Sequence, residues 1–226
     1  MTTLIKAKEP KRARGKLRVA AILDAAAAVF AEKGYDAATM TEIAARAQTA
    51  IGSLYQFFPT KAVLGDALVD GFKELLDEAL NEIAARAASL DASALADALV
   101  DVFVDMPFGL QPERGAALAV VLTRSDSVDR RAMLADAARG QIATILATAT
   151  SGALAEARAG AMAMLLLHVL RAIPVFANEA GSRERLVSEA RDMVRLYIAN
   201  AFGEAVSPDG ASPRRPAAAA MPRSGP

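Results

Sequence analysis

The sequence has 226 residues, and its 26 Lys/Arg balance its 26 Asp/Glu. It contains no cysteine, which excludes disulfide bonds and thiolate metal sites. The longest strongly apolar run, residues 159–169, is too short to cross a membrane. Ala, Leu, Glu and Arg dominate the composition, and these residues favour helix. We therefore expect an all-α, cytoplasmic protein that is long enough to bury a core.

The charges are unevenly distributed along the chain. Residues 1–61 hold ten Lys/Arg and five Asp/Glu, whereas residues 62–208 hold thirteen Lys/Arg and twenty Asp/Glu. A basic head on an acidic body suggests an anionic partner for the head only. A basic leader without a role is the alternative.

The N-terminal segment predicts a leader followed by one amphipathic helix. Residues 1–15 are charged and lack periodicity, which predicts a disordered basic leader. From Lys16 onward, apolar residues recur at three- and four-residue spacing, which predicts a helix. Gly34 is expected to form its left-handed C-terminal cap, with Tyr35 packing back over the last turn.

Two short helices are predicted next. Thr39 and Glu42 have the spacing of a capping box, which opens the first of them. A three-residue break, 48–50, separates it from a second short helix over 51–58. Two short helices joined by a tight turn form a helix-turn-helix, so we interpret residues 16–60 as a DNA-binding domain. An ordinary helical hairpin within a core is the alternative.

The second short helix carries side chains suited to DNA. Ser53 and Gln56 can hydrogen-bond base edges, and Ile51 or Phe57 could touch a thymine methyl group. Gly52 has no side chain and so allows the backbone of the helix to approach a DNA phosphate closely. Tyr55 can donate its hydroxyl to a phosphate, and Lys61 can place its charge beside a helix N-terminus at a phosphate.

The remaining chain predicts a larger helical domain over 61–203. Thr60 is expected to cap a long helix that runs from Lys61 to about Ala88. Breaks between further helical stretches fall near residues 90–93, 107–112, 125–128, 150–152 and 180–182. These breaks give about nine helices in total. Residues 204–226, rich in Pro, Ala, Arg and Gly, predict a disordered tail.

The stretch GYDAATMTEIAARAQTAIGSLYQFFPTKAVL, residues 34–64, resembles the N-terminal DNA-binding domain of the tetracycline-repressor (TetR) family. The matching positions are Gly34, Tyr35, Thr39, Ile43, Ala44, Ala47, Gly52, Ser53, Leu54, Tyr55, Phe58 and Lys61. The resemblance implies phosphate contacts from Thr39, Thr49, Tyr55 and Lys61. It implies major-groove contacts from Ile51, Gly52, Ser53, Gln56 and Phe57.

Two positions depart from the family pattern. Gln48 stands where Gly is usual, which requires a left-handed glutamine or a different turn. Ala50 stands where Ser is frequent, which removes a side-chain cap.

The resemblance also implies an effector pocket and a homodimer. Residues that could line an apolar pocket, or simply fill the core, are Phe72, Phe103, Met106, Phe108, Leu118, Leu122, Met162, Leu165, His168 and Phe176. For His168 a core or interface histidine is the favoured interpretation and a ligand contact the alternative, and a metal site is not expected because the sequence has no second histidine and no cysteine. Helices predicted over 153–178 and 183–202 could form a four-helix dimer interface or internal core.

These features predict a DNA-binding transcriptional regulator, a repressor released from its operator by a small-molecule effector. A constitutive DNA-binding protein without an effector and a helical small-molecule binder or enzyme are the alternatives. No nucleophile–base pairing, glycine-rich phosphate loop or metal-ligand spacing is visible, so neither enzymatic activity nor a cofactor is expected.

Overall fold

A computed structural model describes residues 13–108, 117, 120–121, 128–179 and 183–206 of the chain. Most of the predicted leader, most of the predicted tail and the breaks near 109–112, 125–127 and 180–182 lie outside the described residues. The first helix begins at Ala13, three residues before the predicted start at Lys16, and the last continues to Val206, four residues beyond the predicted end at residue 202.

The described residues form eight α-helices and one short 3₁₀ helix, Ala87–Ser89, and contain no strand. In chain order the α-helices are α1 (Ala13–Ala37), α2 (Met40–Arg46), α3 (Ile51–Phe57), α4 (Lys61–Arg86), α5 (Ala92–Phe108), α6 (Val128–Ala149), α7 (Glu156–Glu179) and α8 (Arg183–Val206). The all-α prediction is confirmed. None of these helices is long and apolar enough to cross a membrane.

Helices α1, α2 and α3 pack around a first core together with the beginning of α4. Its fully buried large side chains include Ile22, Phe30, Ile43, Leu54 and Phe58. Within a helix the buried residues lie at helical spacing, as Met40, Ile43 and Ala44 do in α2, so one face of the helix is buried.

The end of α1 is shaped by a glycine. Gly34 has φ 79° and interrupts the helical dihedral angles of α1, as expected for a left-handed position. The helix is kinked there, and the ring centroids of Tyr35 and Phe30 lie 5.2 Å apart. The positive φ of Gly34 and the packing of Tyr35 are confirmed, whereas Gly34 does not end the helix, which continues to Ala37.

A second, larger core joins the later part of α4 with α5 through α8. Leu80, Leu99, Ile142, Leu166 and Ile198 lie within it, each almost inaccessible to solvent. Helix α4 belongs to both cores, because its first turns pack in the head and its later turns pack in the body. It is the continuous element that links the two parts.

Polar contacts reinforce the body at two places. Asp97 on α5 accepts hydrogen bonds from Arg191 at 3.2 Å and from Arg195 at 2.8 Å, both on α8. Arg130, near the start of α6, pairs with Asp66 and Asp70 on α4 at 3.3 and 2.6 Å. The second contact ties α6 to α4 close to the head.

Candidate nucleic-acid interface

The N-terminus of α2 is held by the predicted capping box. The hydroxyl of Thr39 accepts from the Glu42 backbone N–H at 3.2 Å, and the Glu42 carboxylate accepts from the Thr39 backbone N–H at 3.1 Å. Lys33 on α1 donates to the same carboxylate at 2.5 Å. Hydrogen bonds from Lys33, and then from Thr39, hold the pKa of Glu42 below its usual value. The ionised Glu42 carboxylate therefore connects the N-terminus of α2 to Lys33 on α1.

The turn between α2 and α3 accommodates both departures from the family pattern. Gln48 adopts φ 49°, which is the left-handed glutamine that the position requires. The Thr49 backbone N–H donates to the carbonyl of Ala44 at 3.0 Å. Ala50 provides no side-chain cap, as expected, but its carbonyl accepts from the Ser53 backbone N–H at 2.8 Å and so begins α3.

Helix α3 has a buried and an exposed face. Leu54 and Phe58 are buried in the head core. On the opposite side Ile51 and Tyr55 are 40 % and 48 % exposed, and Gly52 and Gln56 also face solvent. Seven residues make a helix about 10 Å long, which suits a major groove about 12 Å wide. This outer face can approach base edges without disturbing the core.

The remaining predicted DNA contacts lie at the edges of that face. Ser53 and Phe57 are half-buried, and Phe57 packs against the head core. Thr39 is exposed immediately before α2, and half-buried Thr49 lies just before α3. The structure thus brings these side chains to the α2–α3 unit, whereas their contacts with DNA stay predictions.

Lys61 is placed differently from the expectation of a phosphate ligand. Its Nζ donates to the carbonyls of Tyr35, Asp36 and Ala38 at 2.7, 3.0 and 2.9 Å. The same ammonium lies 4.6 Å from the centroid of the Tyr35 ring. An ammonium has three donors, so all of them are used by main-chain carbonyls in this conformation. The sequence analysis did not predict this role. The available signal was that unpaired carbonyls at the end of a helix attract cations.

The charge of the head is partly neutralised within it. Arg46 pairs with Glu32 at 2.7 Å, and Lys33 pairs with Glu42. Hydrogen bonding from Arg46 lowers the pKa of Glu32. Exposed Arg14, Lys16 and Arg18 concentrate positive charge at the beginning of α1.

The predicted effector residues divide into interior and surface groups. Phe103 and Met162 are buried in the body core, and half-buried Phe72 packs against it. Leu165 and His168 are exposed on the outer face of α7 and do not face the body core, so their part in an effector pocket stays a prediction. At three-residue spacing they share a helix face that turns away from the core.

His168 is not a core residue, because its ring is exposed and its Nδ1 lies 2.7 Å from the Met164 carbonyl oxygen, whereas its place in an interface stays a prediction. The side chains of Met106, Phe108, Leu118, Leu122 and Phe176 lie outside the described structure.

A cleft of about 350 Å³ opens between α4 and α6. Its lining residues are Leu80, Asn81, Ala84, Asp136, Ala137, Gly140, Gln141 and Thr144. None of the predicted effector residues belongs to it.

Helices α7 and α8 carry exposed apolar side chains. Met164 and Leu165 on α7, and Met193 and Leu196 on α8, are each between 46 % and 74 % exposed. The two helices pack against each other along the body. Their exposed apolar groups therefore lie on the pair of helices for which a dimer interface is predicted.

A helix-turn-helix head joined to a helical body defines the class of protein. The head also matches a known protein family. Residues 22–68 match the model of the bacterial regulatory proteins, tetR family. The A-factor receptor protein of Streptomyces griseus is 40 % identical over 60 residues, which are 26 % of this chain and 22 % of that protein. The chain thus matches about a fifth of the length of this curated relative.

Solved structures share the fold of most of the chain. FadR of Bacillus subtilis in complex with stearoyl-CoA has a TM-score of 0.64 and 16 % identity, and covers 80 % of this chain and 98 % of its own. TylP, a TetR regulator from Streptomyces fradiae, has a TM-score of 0.58 and 23 % identity, with 84 % and 88 % covered. The match of residues 22–68 to the tetR family model confirms the resemblance seen in the sequence of the head.

Proposed function

We propose that this protein is a transcription regulator that binds operator DNA through α2 and α3 and is released by a small-molecule effector. The observation that carries the proposal is the two-faced character of α3. Leu54 and Phe58 anchor the helix, while Ile51, Tyr55 and Gln56 face solvent. Such an exposed, anchored helix is what major-groove recognition requires.

The exposed groups differ in chemistry, which suggests that some contact bases and others contact phosphates. Gln56 can make paired hydrogen bonds to an adenine, and Ile51 can contact a thymine methyl group. The hydroxyl groups of Thr39, Thr49 and Tyr55 are suited to phosphates, which position a protein on DNA without specifying sequence. Gly52, Ser53 and Phe57 would complete the contact surface.

A homodimer is part of the proposal. One recognition helix of seven residues buries too little surface for tight specific binding, whereas a two-fold dimer reads two half-sites. The exposed apolar side chains of α7 and α8 supply a surface that a second copy would cover.

We further propose an apolar or amphipathic effector that binds in the body near Phe72, Phe103 and Met162. The structural neighbour FadR of Bacillus subtilis was solved with stearoyl-CoA, which is an amphipathic molecule. Helix α4 enters both cores, so a rearrangement of the body can move the head. A coupling free energy of about 1–3 kcal/mol would be typical of such a switch.

The DNA-binding proposal is tested by selecting duplexes from a random library with the full-length protein. Affinity for a selected duplex is then measured by fluorescence anisotropy with unrelated competitor DNA present. We expect binding to survive the competitor, and Gln56→Ala to weaken it by roughly 1–3 kcal/mol. Asn81→Ala, which removes an exposed amide from α4, is the control and should bind as the native protein does. Failure to enrich any sequence would contradict the proposal.

The effector proposal is tested with acyl-CoA esters, free fatty acids and cationic apolar compounds. A true effector lowers affinity for the selected duplex, and the duplex lowers affinity for the effector by the same factor, because coupling is reciprocal. A duplex affinity that no compound changes would favour the constitutive regulator instead.

A further inference from the structure

We propose that Lys61 is a positioning residue, which holds the segment between α1 and α2 on the first turn of α4 and thereby orients the helix-turn-helix. This inference rests on the proposed function, since it concerns how the DNA-binding face is presented. It replaces the phosphate contact that the sequence predicts for the same side chain.

The surroundings of the ammonium account for all of its donors. Three carbonyl oxygens, those of Tyr35, Asp36 and Ala38, lie within 3.0 Å of Nζ. The face of the Tyr35 ring lies 4.6 Å away, which is within cation–π distance. To reach a phosphate, Lys61 would have to leave all of these partners.

The acceptors lie where a helix end needs a cation. Tyr35 and Asp36 lie in the last residues of α1, after its interruption at Gly34, and carbonyls at the end of a helix have no acceptor role within the helix, so they are open to a donor such as Nζ. Ala38 directly precedes Thr39, which caps α2. One side chain therefore contacts the end of α1 and the residue next to the beginning of α2.

The other end of this side chain belongs to the linking helix. Lys61 is the first residue of α4, and Thr60 before it caps α4 by accepting from the Val63 backbone N–H at 3.1 Å. Further along α4, Asp66 and Asp70 pair with Arg130 of the body. A shift of α4 would thus carry the carbonyls bound by Lys61, and with them the N-terminus of α2.

Two variants separate positioning from phosphate binding. Lys61→Met keeps most of the apolar stem and removes the donors. Lys61→Arg keeps the charge but replaces a compact ammonium with a planar fork, which does not suit three converging carbonyls. Lys73→Met is the matched control, because Lys73 lies on the same helix and pairs with Asp77 instead.

The first measurement is the salt dependence of affinity for a selected duplex. A positioning role predicts that both Lys61 variants bind at least about tenfold more weakly, while the slope of log K against log salt stays as in the native protein. A phosphate contact predicts instead that Lys61→Met lowers the magnitude of the slope by about 0.9 and that Lys61→Arg restores binding. That second result would overturn the proposal.

The second measurement needs no DNA. Amide hydrogen exchange of residues 38–46 should be at least about tenfold faster in Lys61→Met than in the native protein and unchanged in Lys73→Met. Unchanged exchange in Lys61→Met would overturn the proposal. If the native protein selects no duplex, the proposed function fails, and this exchange measurement still decides whether Lys61 holds the segment.

Discussion

Replacing Leu54 by alanine should release the recognition helix from the head. Leu54 is the fully buried anchor of α3, and it packs in the same core as Ile43 and Phe58. A buried Leu→Ala substitution costs about 2–5 kcal/mol, because contacts are lost and a cavity remains. A seven-residue helix is far shorter than the length at which isolated helices are stable, so α3 depends on this contact.

The magnitude predicts a specific pattern of amide hydrogen exchange. A loss of 2 kcal/mol corresponds to about 30-fold faster exchange, since about 1.4 kcal/mol is a factor of ten. We expect this acceleration within residues 51–57, and a smaller change within the body helices α5 and α7. Exchange followed by mass spectrometry distinguishes the two regions in the full-length protein.

A matched control lies one residue away. Tyr55 is 48 % exposed, so Tyr55→Ala should alter stability by less than about 0.5 kcal/mol while weakening binding to a selected duplex. If the amides of residues 51–57 exchanged equally slowly in Leu54→Ala and Tyr55→Ala, the assignment of Leu54 as the anchor of α3 would be refuted. Equal acceleration of head and body in Leu54→Ala would show that the two cores open together.

Three further results are expected. Gln48→Gly should raise the free energy of unfolding by up to about 1 kcal/mol and Gln48→Val should lower it, because glycine adopts φ 49° without strain. Urea denaturation measures both changes, and a Gln48→Val variant more stable than Gln48→Gly would contradict this prediction. Hydrogen bonding from Arg195 lowers the pKa of Asp97, so this carboxylate stabilises the fold above about pH 4, and the difference in urea midpoint between native protein and Asp97→Asn should shrink below it. A midpoint difference that did not change with pH would contradict that coupling. Leu196→Glu should convert a dimer to monomers in analytical ultracentrifugation, whereas Met133→Glu, at a 72 % exposed site on α6, should remain dimeric.

Features that depend on residues close together in the chain could be predicted from the sequence alone. The capping box needs only Thr39 and a glutamate three residues later, and the kink at Gly34 needs a residue that accepts positive φ. For Gln48 the resemblance left two alternatives, a left-handed glutamine or a different turn, and the structure shows the first. Apolar spacing likewise predicted which faces of the head helices are buried.

Tertiary structure decided which partners distant residues would find. The sequence marks Lys61 as a cation beside a recognition helix, but its acceptors lie 23 to 26 residues earlier, and only the packing of α1 against α4 brings them together. Helix α7 shows the same limit, since Met162 faces the core whereas Leu165 and His168 face outward. An apolar run does not state which of its faces a neighbouring helix will cover, because that choice depends on contacts made across the whole fold.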